Sequence, residues 1–142
     1  MARPPIVKSF LIADTVIQDR LTGKWSIIGV FDRVMAPSFP VVHPTVALYL
    51  RLSDAQGRYR LRVEFRDASD RRVGLFEGIE MEVKDPAQAI EVGLPTHMLP
   101  LEKPGKYQFQ LFINDEFSAS TELSVIQLQG PPPPPTPSAP SP

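Results

Sequence analysis

The sequence predicts an all-β fold, an antiparallel sandwich or barrel formed by one domain. Three observations carry that expectation. Runs rich in Val, Ile, Phe, Tyr and Thr recur at short spacing with turn residues between them. The one stretch of helical material, residues 84–92, is limited by Pro86. The chain has 142 residues, 42% of them hydrophobic, which suffices for one buried core and argues against disorder throughout.

Eight strands are expected, at residues 6–17, 24–34, 45–53, 58–67, 73–83, 88–94, 106–113 and 117–126. Thr22-Gly23 turns the first into the second, and the Pro-rich stretch 37–44 precedes the third. Residues 54–57, Ser69-Asp70, Asp85-Pro86, residues 95–105 and Asn114-Asp115 separate the others. Treating 54–57 as a hairpin turn sets Leu52 against Tyr59, Leu50 against Leu61, Leu48 against Val63 and Val46 against Phe65. All the apolar pairs then fall on one side, as a half-buried hairpin requires. A three-residue loop of Asn114, Asp115 and Glu116 sets Ile113 against Phe117, Leu111 against Ala119, Phe109 against Thr121 and Tyr107 against Leu123. Pairing 73–83 with 58–67 brings Arg58 to Glu82, Arg60 to Glu80, Leu61 to Ile79 and Tyr59 to Met81. Glu77 then points inward beside Gly78, the sign of a bulge.

The body ends at about residue 130. Residues 131–142, PPPPPTPSAPSP, hold 8 of the 17 prolines. With few apolar side chains to pack, they read as a disordered, solvated polyproline II tail. Such a tail serves as a spacer, or as a ligand for a proline-recognition groove.

Composition excludes several classes. A net charge of −1 gives no general attraction to nucleic acid or anionic membrane. The absence of Cys removes disulfides, thiolate metal sites and a Cys nucleophile. No apolar run reaches membrane-spanning length, and Asp14 interrupts the N-terminal apolar stretch, so a cytoplasmic location is expected. There is no G-x-G-x-x-G, P-loop or G-x-S-x-G, so neither an enzyme nor a cofactor is expected.

Five groups of residues are candidates for function. In 35–44, MAPSFPVVHP, three prolines stiffen a loop that presents Met35, Phe39, Val41 and Val42. It is either a partner-binding loop, with little entropy left to lose, or a lid folded onto the body. Arg58, Arg60, Arg62 and Arg66 alternate outward, with Tyr49 and Arg51 beside them, either as an anion-binding face or as a salt-bridge ladder. Strict strand alternation collects Asp19, Asp54, Asp85, Asp115 and Glu116 at one end, as a Ca²⁺ site or as ordinary turn residues. His43 and His97 fall at the other end near Asp70, without a metal-ligand spacing. Asp14 and Asp32 lie at similar heights on paired strands, as a ligand-binding pair or as strand-edge positions.

Residues 10–44 carry D-x-x-I-Q-D-x-x-T-G-K-W-x-I-x-G-V-F-D-R, then A-P-S-F-P and H-P. With Leu-Arg-Leu-Ser-Asp at 50–54 and Pro-Gly-Lys-Tyr-Gln-Phe at 104–109, the chain resembles a family of small bacterial proteins with a domain of unknown function over residues 6–126. The resemblance implies an immunoglobulin-like β-sandwich and a bacterial cytoplasmic origin. It brings no activity, cofactor or catalytic residue. The resulting expectation is a non-catalytic module that binds or assembles with another protein, not with nucleic acid or membrane. The alternative is a small-ligand or calcium-binding domain using the Asp-bearing loops. The sequence carries no signal for oligomeric state.

Overall fold

Alternation of apolar and polar residues produces strands throughout, and no helix, in the residues that the computed structural model describes, 3–96 and 98–129. The strands are β1 (Ile6–Gln18), β2 (Trp25–Val30), β3 (Arg33–Ala36), β4 (Val41–His43), β5 (Val46–Ser53) and β6 (Gly57–Arg66). They continue as β7 (Arg72–Val83), β8 (Ile90–Thr96), β9 (Leu99–Leu101), β10 (Gly105–Ile113) and β11 (Glu116–Gln127). One sheet has the order β2-β1-β5-β8 and the other β3-β11-β10-β6-β7, while β4 and β9 pair separately. Every pairing is antiparallel except β3 with β11. No helix in the described residues is long and apolar enough to cross a membrane. The Pro-rich stretch 131–142 and His97 lie outside the described residues.

The strand expected at 24–34 divides. Phe31 donates its N–H to the Ile12 carbonyl of the first sheet at 3.0 Å, while the Asp32 carbonyl accepts from Ser124 of the second at 2.8 Å. Successive residues therefore bond to different sheets, and the chain crosses between them as β2 becomes β3. The Pro-rich stretches on either side of β5 and β8 also contain the short strands β4 and β9, so eight expected strands become eleven.

The expected hairpin of residues 46–65 does not form. β5 pairs with β1 and β8, and β6 pairs with β10 and β7. The link between them, with Asp54 at φ 56° and Gly57 at φ 123°, carries the chain from one sheet to the other. Both arrangements turn the same side chains inward. Leu48, Leu50 and Leu52 are buried, as are Tyr59, Leu61, Val63 and Phe65, but they belong to different sheets. With Phe109, Leu111 and Leu123 they form one buried cluster, in which Phe65 lies between Tyr107 and Phe109 at 5.1 and 4.5 Å.

The β6–β7 register matches the expected one at all four pairs, and the bulge falls at Glu77-Gly78, where Gly78 has φ 87°. Glu77 is exposed rather than inward, because the extra residue turns it out. In β10–β11 the loop has two residues, not three. Asn114 and Asp115 both adopt left-handed φ, 50° and 67°, which closes a tight hairpin. Ile113 thus meets Glu116, and Phe117 meets Phe112. One extra residue, Ser118, then restores the expected Leu111–Ala119, Phe109–Thr121 and Tyr107–Leu123 pairs.

Beyond Ala13, β1 leaves β5 and pairs with β2 alone. This ribbon lies over the outer side of the first sheet. Trp25 meets Tyr49 edge-on at 6.3 Å, and a Cβ at Gly93 would sit 2.9 Å from Trp25 Cη2 and 3.0 Å from Val16 Cγ1. Ala13, Ala47 and Tyr49 are consequently buried although they face away from the main core.

Candidate functional site

The 35–44 segment separates into two kinds of side chain. Along β3, Val34 and Ala36 turn inward and Met35 turns outward. Met35 is the cross-strand partner of Ile126 on β11, and they are 55% and 39% exposed. Leu128 follows at 45%, held beside β3 by its N–H donating to the Ala36 carbonyl at 2.8 Å. Gln127 Nε2 donates to the Pro37 carbonyl at 3.3 Å and ties down the start of the loop. On either side of the cis Phe39–Pro40 bond, Phe39 and Val41 are half-buried and pack on the core. Val42, opposite Pro100, points to solvent. Of the four side chains expected to contact a partner, Met35 and Val42 are exposed, while Phe39 and Val41 pack on the core.

The arginine face does not assemble as a single surface. Tyr49 and Arg51 are on β5 in the first sheet, and Arg58, Arg60 and Arg62 are on β6 in the second, because the chain crosses between them. Tyr49 donates its hydroxyl to Glu91, which also pairs with Arg51 at 3.5 Å. Arg58 reaches Glu82 at 3.9 Å, as the ladder requires. Arg60 instead takes Asp115 at 3.1 Å, since the tight β10–β11 turn brings that carboxylate closer than Glu80. Arg62 bonds both Asp115 at 2.7 Å and Glu64 at 3.0 Å, with its guanidinium 4.4 Å from the Phe112 ring centre. Arg66 holds the other Glu64 oxygen at 2.6 Å.

Glu64 is the buried member of this network. Burial pushes its carboxyl upward, but hydrogen bonds and charge from Arg66 and then Arg62 outweigh that and hold it below its ordinary value. A folded value below the unfolded one stabilises the fold above the usual carboxylate range, about pH 4.3, and is lost as pH falls through the folded value. Glu64→Gln should therefore flatten the acid side of a melting-temperature profile. An unchanged acid limb in the variant would assign that limb to other groups.

The Asp-bearing loops do not converge as expected. Ile6 faces Ser53 beside Asp54, whereas Asp19 follows the part of β1 that has left β5 and pairs with β2. Asp19 accepts N–H bonds from Leu21 at 2.7 Å and Thr22 at 3.1 Å; the Thr22 and Leu21 amides hold its carboxyl low. Asp85 accepts from the Ala87 N–H at 2.9 Å, and Asp115 is held by two arginines. Among the described residues, no three His, Cys, Asp or Glu side chains form a metal-binding group.

His43 packs its ring 5.4 Å from Phe31, and Asp70 pairs with Arg66 at 3.6 Å. Asp14 lies against Gly29, Asp32 occupies the sheet crossing, and both are exposed. Ile126 and Leu128 were missed at the sequence level. The signal was available: in residues 123–128, LSVIQL, apolar residues at 125 and 126 occupy both faces of one strand.

A family model described as "Family of unknown function (DUF6941)" matches residues 8–126. Among solved structures, the sensor domain of the anti-sigma factor RsgI4 in Pseudobacteroides cellulosolvens is similar at 14% identity and a TM-score of 0.36. That match covers 66% of this chain and 98% of the other. No curated protein matches.

Proposed function

We propose that this chain, which belongs to the DUF6941 family of unknown function, is a non-catalytic immunoglobulin-like β-sandwich module that binds another protein. The observation that carries this reading is the outward apolar group of Met35, Ile126 and Leu128. Contiguous exposed apolar side chains are better covered by a partner than left in water. The β3–β11 pairing and the anchored Pro37 loop hold the group in place, so ordering it in an interface costs little entropy. In this reading the protein works in the bacterial cytoplasm without a cofactor.

A photo-crosslinking amino acid at position 35 should capture a discrete heteromeric product in cells, and one at position 84 should not. Met35→Asp should weaken that association by about 2 kcal/mol or more without unfolding the domain. No product at 35, or equal products at both positions, would remove the basis for this site.

A further inference from the structure

β2 is the outermost strand of the first sheet, so one edge of Trp25–Val30 pairs with β1 and the other is unpaired. Its sequence, WSIIGV, has no charge and no proline. Outer strands of native sheets normally carry a bulge, a charge or a proline that discourages further pairing. The other long outer strands here do so. β7 is bulged at Glu77-Gly78 and bears Glu77, Glu80 and Glu82, and β8 contains Pro95. On β2 the one irregularity is Gly29, at φ 71° near its end.

The β1–β2 ribbon also has an apolar solvent face. Val16, Trp25 and Ile27 turn toward the body and are half-buried. Ile17, Ile28 and Val30 turn the other way and are 48%, 53% and 59% exposed. Ile17 faces Ser26, Ile28 faces Thr15 and Val30 faces Ala13, so the three form a strip beside the free edge. The Asp19 N–H donates to the Lys24 carbonyl at 2.8 Å, so Lys24 bonds toward β1. Strand alternation then points the peptide groups of Trp25 and Ile27 away from β1, toward the open side.

Charge identifies the occupant. Lys24 and Asp32 flank the uncharged segment with opposite signs, and both are exposed. Neither belongs to an ion pair among the described residues. An antiparallel copy of the same strand satisfies both at once, whereas a parallel copy leaves like charges together. We propose that β2 pairs antiparallel with β2 of a second copy about a two-fold axis at Ile28. Ile28 then meets the partner's Ile28, Val30 meets the partner's Ser26 beside the partner's Ile17, and Ile27 shares rungs with the partner's Gly29. Lys24 lies toward the partner's Asp32, just past the end of that strand at the sheet crossing, and symmetry repeats that contact. The joined first sheets become one sheet of eight strands. This surface is separate from the Met35 group and does not depend on it.

Sedimentation equilibrium of the full chain tests the assignment. The mass should rise from 15.8 kDa toward twice that value as concentration approaches about 100 µM. Ile28→Lys, at a side chain already half in water, should stay monomeric with unchanged Trp25 emission. Lys24→Glu or Asp32→Lys alone should weaken association roughly tenfold, and the double exchange should restore it. A wild-type chain that remains monomeric overturns the proposal. So does a dimer that survives Ile28→Lys, or one that the double exchange fails to restore.

Discussion

Phe109→Ala should lower the unfolding free energy by about 3–5 kcal/mol, the usual cost of removing a buried ring. Phe109 is 0% exposed on the central β10, between Phe65 of β6 and Thr121 of β11. Its ring lies 4.5 Å from that of Phe65, which in turn stacks on Tyr107. Neighbours on three strands cannot collapse together into the space, so most of the cavity should persist. A domain of this kind has only about 5–15 kcal/mol in total, so the variant should sit close to its unfolding threshold. Urea titration should show a lower midpoint with an unchanged slope. Phe117→Ala, at an exposed ring four residues past Ile113, should move the midpoint little by comparison. A cost at Phe109 below about 1 kcal/mol would mean that the two sheets do not close around it.

Gly93→Val should cost about 3 kcal/mol, at the upper end for overpacking. The added side chain would have to occupy the space of the Trp25 ring and Val16. The ribbon must then lift, exposing Tyr49 and Ala47 beneath it. The chain has a single Trp, so its emission reports the displacement directly and should shift to the red. Combining Gly93→Val with Trp25→Ala should cost less than the sum of the two, because the first substitution has already undone the contact. Additive losses, with unshifted emission in Gly93→Val, would show that the ring does not rest on β8.

Which way a side chain faces was legible along the regular strands, Glu77 at its bulge excepted; which strand lies beside it was not. Alternation in residues 46–52 and 59–65 depends only on the twofold period of a strand, so Leu50 and Leu61 were correctly turned inward. That period is identical for a hairpin and for a crossing between sheets, so the link at 54–57 was read as a hairpin. The same ambiguity grouped Tyr49 and Arg51 with the arginines of β6. Charge pairing across β6–β7 was visible because Arg58 and Glu82 share a local register. The switch of Arg60 to Asp115 depended on the left-handed pair at Asn114-Asp115, whose loop length was misjudged by one. In the candidate site, Met35 and Val42 were visible as apolar residues in a Pro-rich loop. The packing of Val41 comes with the β4–β9 pairing and the position of Ile126 with the β3–β11 pairing, and both join distant parts of the chain.

The passage of the chain between sheets after Ser53 also governs how the domain emerges during synthesis. β5 finds β1 already made, but its other neighbour ends at Thr96. β6 finds neither neighbour waiting: β7 follows at once, and β10 is complete only at Ile113. β3, finished by Ala36, has β11 as its one partner, and β11 ends at Gln127. The early strands thus leave the ribosome with their apolar faces uncovered until the last strand arrives. Folding dominated by such distant pairings falls in the slow range, about milliseconds to seconds. Nascent chains halted before Gln127 should remain open to protease and to chaperones. Protection should then appear in one late step, once β11 slides between β3 and β10.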